Sequence, residues 1–227
     1  YDLYIDDFQF SSNSLTYTGQ SGSAVYDPGS KTLTLKSLRV KMNEYNTVIY
    51  SEIDGLNIVV DGETVIDLTD QVAFQDNAGA MGFALNGDTV IRGQHGDKTR
   101  DKITITSNCS KHTGSGITHR GIASKAGKRL TVTNVSLSMT DTTTGSLSGQ
   151  ACFVDCGGNA EFSGCSLTAS GCIYGLFMEQ GAGATVKNTE FNVTLSGTDS
   201  SGVNLAAGTT NRLENCTGTI SADYPLY

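Results

Sequence analysis

The chain has 227 residues, with 27 Gly, only 2 Pro, no Trp and a formal net charge of −8. No run approaches the ~18 apolar residues of a spanning helix, and the excess of acid repels a phosphate backbone, so neither a transmembrane segment nor nucleic-acid binding is expected. Thr, Ser, Val and Ile abound and no apolar helical period persists, which points to an all-β fold.

The chain opens on Tyr1 rather than Met, which fits an exported protein, secreted or at a cell surface, whose leader has been removed. Residues 1–45 carry two strand-like runs about a turn at 26–31 and are expected to form an N-terminal β cap. Residues 46–227 are expected to form one continuous domain. Tyr50, Gly55, Val60 and Gly62 begin a spacing that returns loosely at 89–93 and 103–107 and then firmly in four segments, 121–134, 151–164, 175–188 and 202–215.

These four segments align without internal gaps. In each, an apolar residue (Ile122, Cys152, Leu176, Val203) stands five before a Gly (Gly127, Gly157, Gly181, Gly208) and ten before a second apolar residue (Val132, Phe162, Val186, Leu213). Asn134, Gly164, Asn188 and Asn215 follow, residue types that tolerate left-handed backbone. A third alternating run comes next, as in Leu137 and Met139, Leu167 and Ala169, or Phe191 and Val193. Three short runs and three corners per repeat cannot bury their apolar side alone, so successive repeats must stack strand on strand. The expected fold is therefore an all-β, single-stranded right-handed parallel β-helix, three strands per coil, with coils of 30, 24 and 27 residues and an N-terminal β cap.

Residues 89–94, 103–108 and 130–137 resemble coils of the pectin-lyase-like superfamily of right-handed parallel β-helices. Residues 1–5 and 25–35 are similar to modules in surface proteins of gut bacteria, many of them labelled carbohydrate-binding domains. The resemblance implies a bacterial surface or secreted protein associated with polysaccharides. It does not extend to catalysis: the Asn-Thr-Asp, Asp-Asp, Gly-His-Gly and Arg-Ile-Lys motifs of the polygalacturonase hydrolases are absent.

Candidate site residues come from two patterns. The gap-free alignment places Asp155 and Glu179 at equivalent positions on successive coils, about one strand spacing of 4.8 Å apart. Such a pair suits an acid and base of a β-helix lyase or hydrolase, or one shared Ca²⁺; charged corners of a solvated repeat have the same signature. Strict alternation aims Phe153 and Phe177 outward beside that pair, where rings could stack on sugar faces, with Tyr17, Tyr26, Tyr45, Tyr50 and Tyr174 as further contributors.

Second, residues 92–129 hold nine of the 15 Lys and Arg, all three His and only two acids. Arg92, His95, Lys98, Arg100, His119 and Arg120 from this band are candidates for contacting an anionic glycan, against the alternative of long solvated loops. The six Cys match no zinc spacing, and Cys165 and Cys172 could close a loop. Segments 138–149 and 194–202 are expected to extend one edge and border any groove. Three functions stay open: a non-catalytic surface module binding polysaccharide or a cell-surface glycan, a β-helix polysaccharide lyase or glycoside hydrolase, and a structural spacer. No cofactor is required apart from the optional calcium.

Overall fold

A computed structural model describes residues 1–42, 47–69, 80–108, 119–144, 151–206 and 209–227. Tyr45, Cys109, Lys111, His112, Gly208 and residues 145–149 of one corner segment lie outside them. Among the described residues the secondary structure is entirely β, and the strands run in long parallel sheets. Among the described residues no helix is long and apolar enough to cross a membrane.

From Thr47 onward each strand pairs with the strand three places later in the chain, which produces three parallel ladders. Ladder A stacks Thr47–Ser51, Met81–Leu85, His119–Ser124, Ala151–Cys156, Tyr174–Met178, Ser201–Asn204 and Tyr224–Leu226. Ladder B stacks Leu56–Asp61, Thr89–Gly93, Leu130–Thr133, Ala160–Ser163, Ala184–Lys187 and Arg212–Glu214. Ladder C stacks Glu63–Leu68, Lys102–Ser107, Ser136–Asp141, Ser166–Ser170, Glu190–Thr194 and Thr217–Ser221. One strand from each ladder makes a rung, and the enclosed side chains form one continuous core.

Ladders B and C follow the sequence repeat closely. Val132, Phe162, Val186 and Leu213 are in register on B, as are Leu137, Leu167 and Phe191 on C. Between them the chain turns through left-handed backbone at Asn134, Gly164, Asn188 and Asn215, with φ of 52°, 66°, 48° and 51°. Asn tolerates this region because its short amide can bond locally, whereas other side chains pay about 1–2 kcal/mol there. Asn188→Ala is accordingly expected to destabilise the fold by about 1–2 kcal/mol, readable as a lower urea midpoint, while Asn188→Gly should be near neutral.

Ladder A departs from strict alternation. Its strands run outward, inward, inward, outward: Val48 and Ile49 are both buried between half-buried Thr47 and Tyr50, and Gly175 and Leu176 between Tyr174 and Phe177. The first inward column, Val48, Gly82, Gly121, Phe153, Gly175 and Gly202, is skipped in the pairing of every neighbouring pair of strands. Each strand of A thus bends at that point, and its outward residues are three apart rather than two.

That bend explains four glycines in one column. A Cβ on Gly82 would stand 3.0 Å from Ile105 Cδ1, on Gly121 3.0 Å from Met139 Sδ, on Gly175 3.4 Å from Val193 Cγ1, and on Gly202 against Ile220 Cγ2. Each would also meet the carbonyl oxygen of the next residue in its own column. Phe153 is the exception that proves the volume rule. Its ring lies over Gly121, and in its rung the ladder C position filled elsewhere by Ile105, Met139, Val193 or Ile220 is Ala169.

Phe153 is therefore 1 % exposed and part of the core, not a ring on the outer face as alternation predicted. The gap-free alignment fails at the same place. Ladder register pairs Val154, not Cys152, with Ile122 and Leu176; the corner from Val154 to Phe162 is two residues shorter than in the other repeats. A two-residue slip preserves the period of a strand, so it leaves inward and outward positions in phase and raises no conflict of polarity.

The N-terminal end is closed by antiparallel strands. Leu3–Ile5 pairs with Thr47–Ser51, and Ser21–Asp27 forms a hairpin with Thr32–Lys41. The latter strand spans two ladders, Leu33 and Leu35 lying beside Ile58 and Val60, then Val40 beside Ile66. It bends at Ser37, which has φ of 45° and abuts Gly62. Toward the opposite end Leu213, on ladder B, and Leu226, on ladder A, are 41 % and 59 % exposed.

Candidate carbohydrate-binding face

The expected carboxylate pair does not assemble. Asp155 is in register with Phe177, and Glu179 lies two residues further on, at the following corner, where its N–H bonds Cys156 O at 2.9 Å. Asp155 is 7 % exposed and accepts a 2.6 Å hydrogen bond on Oδ2 from Arg120 Nε of the preceding rung. Arg120 thus engages one oxygen of Asp155, and ladder register sets Glu179 two residues beyond the position that pairs with Asp155. Among the described residues no three His, Cys, Asp or Glu side chains converge as metal ligands.

The basic band is not one surface. Arg92 lies on the outer side of ladder B, its Nε 3.3 Å from Asn57 Oδ1, whereas His95, Lys98 and Arg100 belong to the corner between B and C. His119 and Arg120 lie on ladder A, and His119 is fully buried rather than a surface residue, because it shares the inward parity of Gly121. Much of the charge is matched locally. Lys98 Nζ reaches Glu190 Oε2 at 3.2 Å and Cys165 O at 3.3 Å, and Lys128 Nζ reaches Asp54 Oδ1 at 3.1 Å. Arg100 remains exposed.

His95 pins its corner to the stack. Its backbone N–H and Nδ1 lie 2.7 and 2.8 Å from Asp101 Oδ2 and Oδ1, and Asp101 Oδ1 also accepts the Gly62 N–H at 3.1 Å. Burial of Asp101 opposes its charge, but the hydrogen bonds from the His95 side chain, the His95 backbone and Gly62 outweigh it and lower its pKa. The cysteines serve packing too: Cys152, Cys156, Cys165 and Cys216 are free, so no Cys165–Cys172 bridge closes a loop. Burial pushes the thiols of Cys152, Cys156 and Cys165 up, which keeps them protonated and unreactive.

What the structure does bring together lies on the outer side of ladder A near its end. The bend makes Tyr174 and Phe177 one outward row, Ser201 and Asn204 the next, and Tyr224 the start of a third, with Tyr227 just past its strand. The Tyr174 and Phe177 rings stand 4.8 Å apart at 46°, and those of Tyr224 and Tyr227 5.7 Å apart at 68°. Between the two aromatic pairs opens a cleft of about 290 Å³ lined by Tyr174, Asp199, Ser201, Asn204, Tyr224 and Tyr227. The buried Ser201 hydroxyl has no hydrogen-bond partner among the described residues. The two aromatic rows lie two strand steps apart, about 10 Å.

Of the sequence candidates, only Phe177 and Tyr174 belong to this cluster. Asn204, Ser201, Asp199, Tyr224 and Tyr227 escaped notice, although the spacings Tyr174/Phe177, Ser201/Asn204 and Tyr224/Tyr227 are all i, i+3. That signal is invisible to a search for period two. Of the expected border segments, 194–202 reaches the cleft through Asp199 and Ser201. No protein-family model, curated protein or solved structure matches the chain.

Proposed function

We propose that the three ladders are the faces of a right-handed parallel β-helix, and that the chain is a non-catalytic bacterial surface module whose ladder A face binds polysaccharide. The observation that carries this reading is the cleft framed by two aromatic pairs around a row of hydroxyl and amide groups. Pyranose rings present apolar C–H faces with hydroxyls at the rim, which matches rings beside Ser201, Asn204 and Asp199. The cleft holds a carboxylate and no cation, which favours a neutral glycan over a polyuronate. The enzymatic reading loses the register-aligned Asp155 and Glu179 it rested on, and the paired cations weaken the anionic one.

Affinity electrophoresis in gels containing xylan, glucomannan or polygalacturonate tests the proposal. Retardation by a neutral polymer, insensitive to salt, is the expected result. Tyr174→Ala should weaken it roughly 10–100-fold, since a buried aromatic contact is worth about 1.5–3 kcal/mol. Failure of folded protein to bind any of the three overturns the reading; binding confined to polygalacturonate and lost with added salt would return the basic residues to the centre of the argument.

A further inference from the structure

We infer that ladder A carries a second sugar subsite at its N-terminal end, centred on Tyr4 and Tyr50, and that the module is bivalent for one extended glycan. This inference rests on the polysaccharide reading above. Tyr4 and Tyr50 face each other across the antiparallel pair that starts the ladder, with ring centroids 5.9 Å apart at 66°. The Tyr50 hydroxyl donates to Glu52 Oε1 and accepts from Asn86 Nδ2 at 3.2 Å. Both of its hydrogen-bonding roles are thus used, and the ring orientation is fixed before any ligand arrives, which reduces the ordering cost of binding.

Small side chains follow the ring along its column. In the column of Tyr50 the next two outward residues are Ala84 and Ala123, so only methyl groups follow it along the ladder. An exposed carboxylate, Glu52, and a carboxamide, Asn86, stand at the ring's hydroxyl end, the polar groups that pair with sugar hydroxyls. The chemistry repeats that of the C-terminal cleft: an aromatic pair, an amide and an acid. Four register steps separate Tyr50 from Phe177, through Ala84, Ala123 and Asp155, or about 19 Å. Because Asp155 between them is buried, the two platforms are separate subsites rather than one groove. Both lie on one face in line with the stacking axis, so an unbranched polymer several sugars long reaches both, while a short oligosaccharide fills one.

Titration calorimetry with xylotetraose and mannotetraose, set beside affinity electrophoresis with xylan and glucomannan, decides the matter. Two tetrasaccharides per chain are expected, falling to one in Tyr50→Ala and to one in Tyr174→Ala. Joining two sites through one ligand raises affinity roughly 10²–10⁴-fold, so either substitution should cost the polymer at least tenfold more than it costs the remaining tetrasaccharide site. Tyr50→Phe, which keeps the ring, controls for folding and should retain the second site with weakened affinity. A stoichiometry of one in the unaltered protein, with Tyr50→Ala silent towards polymer, overturns bivalency and leaves the C-terminal cleft standing. Absence of binding to all four ligands overturns both readings together.

Discussion

Replacing Phe153 by Ala is expected to lower the unfolding free energy by about 3–5 kcal/mol, the range for deleting a fully buried aromatic side chain. The ring is the only large side chain in its column after Val48, and it fills the space that Gly121 and Ala169 leave open. No neighbour is placed to collapse into that space, since the ladder strands are fixed by pairing on both sides. Ala169→Met alone should cost about 1–3 kcal/mol by overpacking. The pair Phe153→Gly with Ala169→Met recreates the arrangement of Gly121 and Met139 one rung earlier and should recover much of the loss of Phe153→Gly alone. Urea unfolding followed by tyrosine fluorescence, in a chain without Trp, measures all four proteins. Costs that simply add would show that the two positions do not share one volume.

Asp101 is the second position where a single change should be severe. Its carboxylate is fully buried and engages the Gly62 N–H, the His95 N–H and the His95 ring. Asp101→Ala leaves two backbone donors and a ring nitrogen without their acceptor, at about 1–3 kcal/mol for each buried group left unsatisfied. A total loss of about 3–5 kcal/mol is expected, with Asp101→Asn intermediate, because one oxygen still accepts. The pH dependence has a definite sign. The folded pKa of Asp101 lies below its unfolded value of about 3.9, so its contribution is complete above that value and disappears as the pH falls through the folded pKa. The acid limb of the stability curve should therefore flatten in Asp101→Asn, and an unchanged limb would dissociate Asp101 from acid unfolding.

Much of this architecture was legible because ladders B and C obey simple rules. Alternation names their inward residues, and the corner Asn and Gly mark where left-handed backbone is required. Ladder A was misread because its strands bend, placing two successive residues inward, and a bend of this kind carries no composition of its own. The Gly column announces it in four rungs, but in another Phe153 takes that position and looks outward when alternation is counted by two. The error propagated: an outward Phe153 and a gap-free corner together produced the Asp155 and Glu179 pair, which ladder register dissolves. The cleft escaped for the same reason, since its residues are three apart. The basic band failed differently. Clustering in sequence did not become clustering in space, because the ladders distribute the described residues of the band around different sides of the stack, and acids from other rungs meet several of the cations.

The matched volumes across ladders A and C also bear on how such a chain can diversify. A crossover that exchanged whole rungs would carry each pair intact, Gly121 with Met139 or Phe153 with Ala169. One that broke between ladder A and ladder C within a rung would unite Phe153 with a large partner, or a glycine with Ala169, and leave the interior either crowded or hollow. Outward positions on ladder A carry no such constraint, so outward rows can be reshuffled as units while the interior is exchanged in pairs. The unit of exchange in such a chain is then the rung.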